Sequence, residues 1–187
     1  MTRAVRINQL LLRRLGGGRS DGGSLYDRAL TLGHSGDLAG MRALMARFLV
    51  TAGPDEDPEK VFRALMELRR YETAFAAAEK LLVPGRDRLT VKDPFIDIRF
   101  SPPADYYAGH LRSLAALRPA GAAARWRGYY AGVLLRRMNR LPEALRAFDA
   151  AGAGGRYAWM RFQRGWTVLN LGGYIGEAAA DLRAAVK

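Results

Sequence analysis

Gly132-Val-Leu-Leu-Arg-Arg-Met-Asn-Arg-Leu-Pro-Glu-Ala144-Leu-Arg-Ala-Phe148-Asp-Ala-Ala151 and Trp166-Thr-Val-Leu-Asn-Leu-Gly-Gly-Tyr-Ile-Gly-Glu-Ala178-Ala-Ala-Asp-Leu182-Arg-Ala-Ala185 are two copies of one pattern. Leu135 and Leu169, Ala144 and Ala178, Phe148 and Leu182, and Ala151 and Ala185 are each 34 residues apart. Both copies place Glu-Ala directly after a short polar turn. A period of this length marks one supersecondary unit that cannot bury its apolar face alone, so neighbouring copies stack to complete a core. Small residues such as Gly132, Ala144 and Ala151 allow helices to approach closely, and Phe148 fills the space between them.

Working outward, Arg70-Tyr71-Glu-Thr-Ala74-Phe-Ala-Ala-Ala78-Glu-Lys-Leu81 is an earlier copy. Gly36-Asp-Leu-Ala-Gly-Met41-Arg-Ala-Leu-Met45-Ala-Arg-Phe48 is another, with Met41 in place of the anchoring alanine. The gap from Ala74 to Ala144 is 70 residues, close to two periods. Tyr107, Leu111, Leu114 and Leu117 within it keep helical spacing. With His110 as the anchor, the steps from Met41 through Ala74, His110 and Ala144 to Ala178 are 33, 36, 34 and 34 residues. The first half of this unit is different. Pro84, Pro94, Pro102 and Pro103 disfavour a continuous helix. Ile96, Ile98 and Phe100 alternate with Asp97 and Arg99 in a strand-like way. The pattern predicts an extended, β-like arm over 86–101 that turns near Lys92-Asp93-Pro94.

The series Gly132, Ala144, Phe148, Ala151 resembles the tetratricopeptide repeat, a helical-hairpin family of this period. Tyr71 three residues before Ala74 resembles the start of that family's second helix. The resemblance implies an all-α chain, a right-handed superhelix of hairpins in one domain. Its parts would be an N-terminal helix and Gly-rich linker (1–22), repeats over 23–50 and 56–83, a degenerate repeat over 84–120, and repeats over 121–152 and 156–187. Trp166 departs from the family by standing where a small residue is usual, which implies a shifted packing of the last pair.

Composition supports helices and narrows the chemistry. Alanine, leucine and arginine dominate, all good helix formers. The 187-residue chain holds no cysteine, which excludes disulfides, thiolate metal sites and cysteine nucleophiles. The longest apolar run near the start, Leu10 to Leu12, is too short for a signal core or a membrane span. The reading is a cytoplasmic protein without a membrane span. Of the net charge of +12, residues 121–187 hold +7, from 11 basic and 4 acidic side chains. A basic pole of this kind suits an acidic partner. Arginine-rich usage is also what a GC-rich genome writes on any solvated helix, so charge alone does not decide.

No catalytic constellation emerges. His34 and His110 are far apart and have no carboxylate at helical spacing. The acids Asp55, Glu56, Asp57 and Glu59 read as a solvated helix start. Gly16-Gly-Gly-Arg-Ser-Asp-Gly-Gly23 lacks the Lys-Ser/Thr ending of a phosphate loop. Neither an enzyme nor a cofactor or metal is expected. The resemblance implies instead that the first helix of each hairpin lines a groove. That assigns Trp126, Tyr129, Val133, Arg136 and Arg137 on one repeat, and Met160, Gln163, Thr167, Asn170 and Leu171 on the next. Aromatic surface beside guanidinium groups suits an acidic protein or peptide. Trp126 and Tyr129 fit packing between adjacent hairpins equally well. The family's carboxylate clamp needs Lys and Asn where this chain has Tyr129 and Val133, so capture of a chaperone C-terminus is not implied.

The leading expectation is a non-catalytic scaffold. A second is the recruiting domain of a longer bacterial enzyme, such as a protein glycosyltransferase, since the C-terminal helix lacks a polar cap. The uncapped face could equally pair two copies of the chain. A third is nucleic-acid binding by the basic last third, although no nucleic-acid-binding signature accompanies its arginines.

Overall fold

A computed structural model describes residues 22–81, 93–95, 105–152, 157–172 and 175–186. Among the described residues the chain is all-helical: α1 (Gly22–Ser35), α2 (Leu38–Thr51), α3 (Pro58–Glu67), α4 (Tyr71–Leu81), α5 (Asp105–Ala116), α6 (Ala122–Arg137), α7 (Leu141–Ala150), α8 (Ala158–Asn170) and α9 (Ile175–Val186). It divides into two compact units, Met1–Pro102 and Pro103–Lys187. The N-terminal helix and Gly-rich linker expected over 1–22 lie outside the described residues except for Gly22, which opens α1. The arm expected over 86–101 lies outside them too, except for 93–95, where Phe95 is buried and Arg63 Nη2 donates to the Asp93 carbonyl at 3.5 Å.

Local chemistry sets the hairpins. Helices α1, α3 and α6 each end in the same hydrogen-bonded stop. The amides of Asp37, Arg70 and Arg140 donate to the carbonyls of Leu32, Leu65 and Leu135, at 2.9, 2.8 and 2.9 Å. The amides of Gly36, Arg69 and Asn139 close the inner bond, to Gly33, Met66 and Arg136. This is the Schellman stop, which requires a left-handed residue just past the helix. Gly36, Arg69 and Asn139 supply it with φ of 93°, 58° and 58°. Gly172, with φ of 69°, follows α8 in the same way. The following helices start cleanly. Asp37 accepts from the Gly40 amide at 2.8 Å, Asp57 accepts from Glu59 at 2.9 Å ahead of Pro58, and Pro142 sits in the first turn of α7.

The anchors read from the period, Met41, Ala74, His110, Ala144 and Ala178, are all fully buried. In the first unit α1 packs on α2 and α3 on α4, around Met41, Met45, Phe48, Phe62, Met66 and Phe75. Tyr26 meets Phe48 with ring centroids 5.4 Å apart. In the second unit α5 packs on α6, α6 on α7 and α8 on α9. Its core is aromatic. Trp126 lies near-parallel to Tyr130, Tyr157 and Trp159 at 5.9, 5.8 and 5.9 Å, and Tyr129 meets Trp159 edge-on at 4.7 Å.

Candidate partner-binding surface

The residues that the repeat assigned to a groove separate into two groups. Trp126, Tyr129, Val133 and Thr167 are fully buried, and Met160 nearly so. They offer no surface to a partner. The reason is the ring cluster: Trp126 and Tyr129 on α6 are covered by Tyr157 and Trp159 at the start of α8, and Tyr129 also meets Phe148 at 5.7 Å. Packing between adjacent hairpins is therefore what these rings do here. Arg136, Arg137 and Gln163 are half-buried, and Asn170 and Leu171 are exposed. Arg137 donates from Nη1 to the Tyr107 hydroxyl at 3.1 Å, with its guanidinium 5.7 Å from that ring's centroid. Asn170 Nδ2 donates to the Trp166 carbonyl at 2.7 Å, helping to close α8.

The two C-terminal hairpins differ where their first helices end, at Arg137 and at Asn170. Three residues separate α6 from α7, whereas four separate α8 from α9. Against Ala144 and Leu135 the close approach falls at Gly132, where an added Cβ would lie 2.6 Å from the Phe148 ring. In the last hairpin it falls at Gly165, where a Cβ would lie 3.0 Å from Asp181 Cβ and 3.3 Å from Leu182 Cγ. Trp166, one residue on, is turned outward.

The outward set is Phe162, Trp166 and Leu169, spaced i, i+4, i+7 along one face of α8. They are 46, 46 and 36% exposed, and Leu171 continues the patch at 39%. The Phe162 and Trp166 rings stack with centroids 6.3 Å apart and 10° between planes. Sequence reasoning missed Phe162, Trp166 and Leu169 by carrying a fixed 34-residue offset into α8. The signal was present: Gly165, a small residue, directly precedes Trp166.

Charge around this stripe is one-sided. Helices α6 and α8 contain no Asp or Glu, and residues 150–176 contain none at all. The acids of this unit lie on α5, α7 and α9 and are engaged where their side chains are described. Asp105 pairs with Arg112 at 3.2 Å. Glu143 accepts from Arg140 Nε at 2.7 Å, and that bond holds its carboxyl below the usual glutamate range. Arg164 joins Asp149 at 2.6 Å and also bonds Asp181, tying α7, α8 and α9 together. Arg125, Arg136 and Arg183 have no ion pair among the described residues. Arg136 Nε and Gln163 Oε1 are buried without a hydrogen-bond partner, a condition that costs about 1–3 kcal/mol per group until one is supplied.

Other chemistry is sparse. His110 is buried edge-on to Tyr106 at 4.9 Å and His34 is exposed. No group of three His, Asp or Glu that could hold a metal occurs among the described residues. None of the described helices is long and apolar enough to cross a membrane. Comparison with models of protein families, with curated proteins and with solved structures finds no match.

Proposed function

We propose that this chain is a non-catalytic scaffold of tetratricopeptide-like hairpins that binds another protein through the exposed face of α8. The observation that carries this reading is the Phe162–Trp166–Leu169 stripe. The second unit buries Trp126, Tyr129, Tyr130, Phe148 and Trp159 yet leaves this phenylalanine and tryptophan nearly half exposed, side by side. A stacked aromatic pair flanked by leucine and arginine has the composition of an interface centre. The tetratricopeptide resemblance agrees once the one-residue shift is applied. The groove set on α8 then becomes Trp159, Phe162, Trp166, Leu169 and Asn170 instead of Met160, Gln163, Thr167, Asn170 and Leu171.

The test is affinity capture from the source cell with three baits: the wild-type chain, Phe162→Ala with Trp166→Ala, and Arg136→Glu. The aromatic double variant is expected to keep wild-type helicity and melting temperature and to lose its specific captured protein. Arg136→Glu is expected to weaken capture. Retention of the same protein by the double variant would remove α8 as the binding face.

A further inference from the structure

We infer that the occupant of the α8 stripe is an acidic amphipathic helix of a partner protein, docked along α8 with its apolar ridge on Phe162, Trp166 and Leu169 and its carboxylates toward the α6 arginines. This rests on the partner-binding reading of the same face and adds the chemistry and shape of what binds.

Shape comes first. The three side chains step along α8 by four residues and then three, about 6 and 4.5 Å of helix rise. A helix with apolar residues at the same spacing offers the complementary ridge, and ridges of this kind interdigitate. An extended peptide places same-face side chains about 6.6–7 Å apart and keeps its backbone amides and carbonyls unpaired. The face of α8 offers no strand edge to satisfy them. A docked helix satisfies its own backbone, so it can cover apolar surface without leaving polar groups stranded.

Charge selects the sign. The starts of α6 and α8 lie side by side, because Trp126 stacks on Trp159 at 5.9 Å. Ten residues on from each tryptophan stand Arg136 and Leu169, both about 15 Å along their helices. Arg136 has no ion pair among the described residues and keeps a buried Nε without a partner. Arg125 on the same helix also has no ion pair. No acid on α6 or α8 competes for them. A second copy of this chain is a poor occupant by the same criterion. Its own α8 is cationic, and two chains of +12 repel.

The experiment uses the full chain and a fluorescein-labelled designed helix with leucines at i, i+4, i+7 and i+11 and glutamates elsewhere. The glutamate peptide is expected to raise anisotropy saturably, with affinity falling as salt rises. Trp166→Ala should weaken it at least about tenfold, and Arg136→Gln about threefold with a flatter salt dependence. Leu169→Gln serves as a second stripe variant should Trp166→Ala alter the melting temperature. Equal binding of a lysine-for-glutamate peptide, or no binding of the glutamate peptide, would overturn the inference. So would tight oligouridylate binding lost in Trp166→Ala, which would make the stripe a base-stacking surface. A dimer that Trp166→Ala converts to a monomer in light scattering would assign the stripe to a second copy. If cellular capture depends on Phe162 and Trp166 while the glutamate peptide does not bind, the helix inference falls and the scaffold reading stands.

Discussion

The two units are made from the same hairpin stop and use their surfaces differently. In the first unit, Val50 is the only large apolar side chain among the described residues that is strongly exposed. Its acids are spread over α1, α3 and α4, and Glu67 is fully buried. In the second unit the acids leave α6 and α8 altogether, and a stacked aromatic pair faces outward on α8. A shared backbone rule therefore fixes the hairpin and leaves its outer face free to vary. Function in such a chain is sought where one copy breaks the pattern its neighbours keep.

The comparison can be broken most severely at Trp126. Trp126→Ala removes the ring on which Tyr130, Tyr157 and Trp159 stack, and it should cost about 3–5 kcal/mol. Hydrogen exchange is expected to show lost protection in α6–α9 with protection of α1–α4 retained. Loss throughout the chain would show that the two units do not unfold separately.

Gly132→Ala is the next largest effect. Its Cβ meets the Phe148 ring at 2.6 Å, so overpacking should cost about 1–3 kcal/mol in chemical denaturation. Ala at Gly176, where an added Cβ meets nothing within 4 Å, should not destabilise the chain. Equal losses at both positions would mean that close approach does not set the hairpin.

A smaller change of opposite sign is expected at the turns. Arg69 and Asn139 hold the same left-handed conformation, but asparagine tolerates it better. Arg69→Gly should stabilise by about 1 kcal/mol, and Asn139→Gly by less, read as shifts in denaturation midpoint. A gain at Asn139 as large as at Arg69 would contradict the conformational explanation.

The smallest effect appears only in alkali and belongs to the first unit. Burial pushes the Tyr71 hydroxyl well above its ordinary value of 10.0, with Glu67 adding to the rise and Arg69 and Arg42 opposing it. Tyr26 is raised too, chiefly by burial. The unfolded chain releases these protons first, so stability is complete below about pH 10 and falls as pH rises beyond it. Tyr71→Phe should lessen that decline in denaturant titrations followed by circular dichroism. An unchanged decline would place the alkaline sensitivity elsewhere.

The sequence alone carried the helical content. Helix propensity, Gly and Asp at turns, proline at helix starts and a recurring small-residue pattern act over a few residues each, so they are visible in one dimension. That is why Ala74, Ala144 and Ala178 could be placed at close helix contacts from spacing alone; His110 reads by residue type as a surface or boundary residue, and the packing of α5 buries it instead. The candidate surface was not legible in the same way. Trp126 and Tyr129 carry the residue types of a binding site, but whether a ring is covered depends on which helix packs over it. Here Tyr157 and Trp159 do. By the repeat pattern Trp166 is a misfit, and the tertiary packing gives it a different meaning. Gly165 makes the close approach to α9, and Trp166, one residue on, faces outward beside Phe162. Side-chain type and period determined what the chain could bury; the packing of α8 on α9 decided what it left exposed.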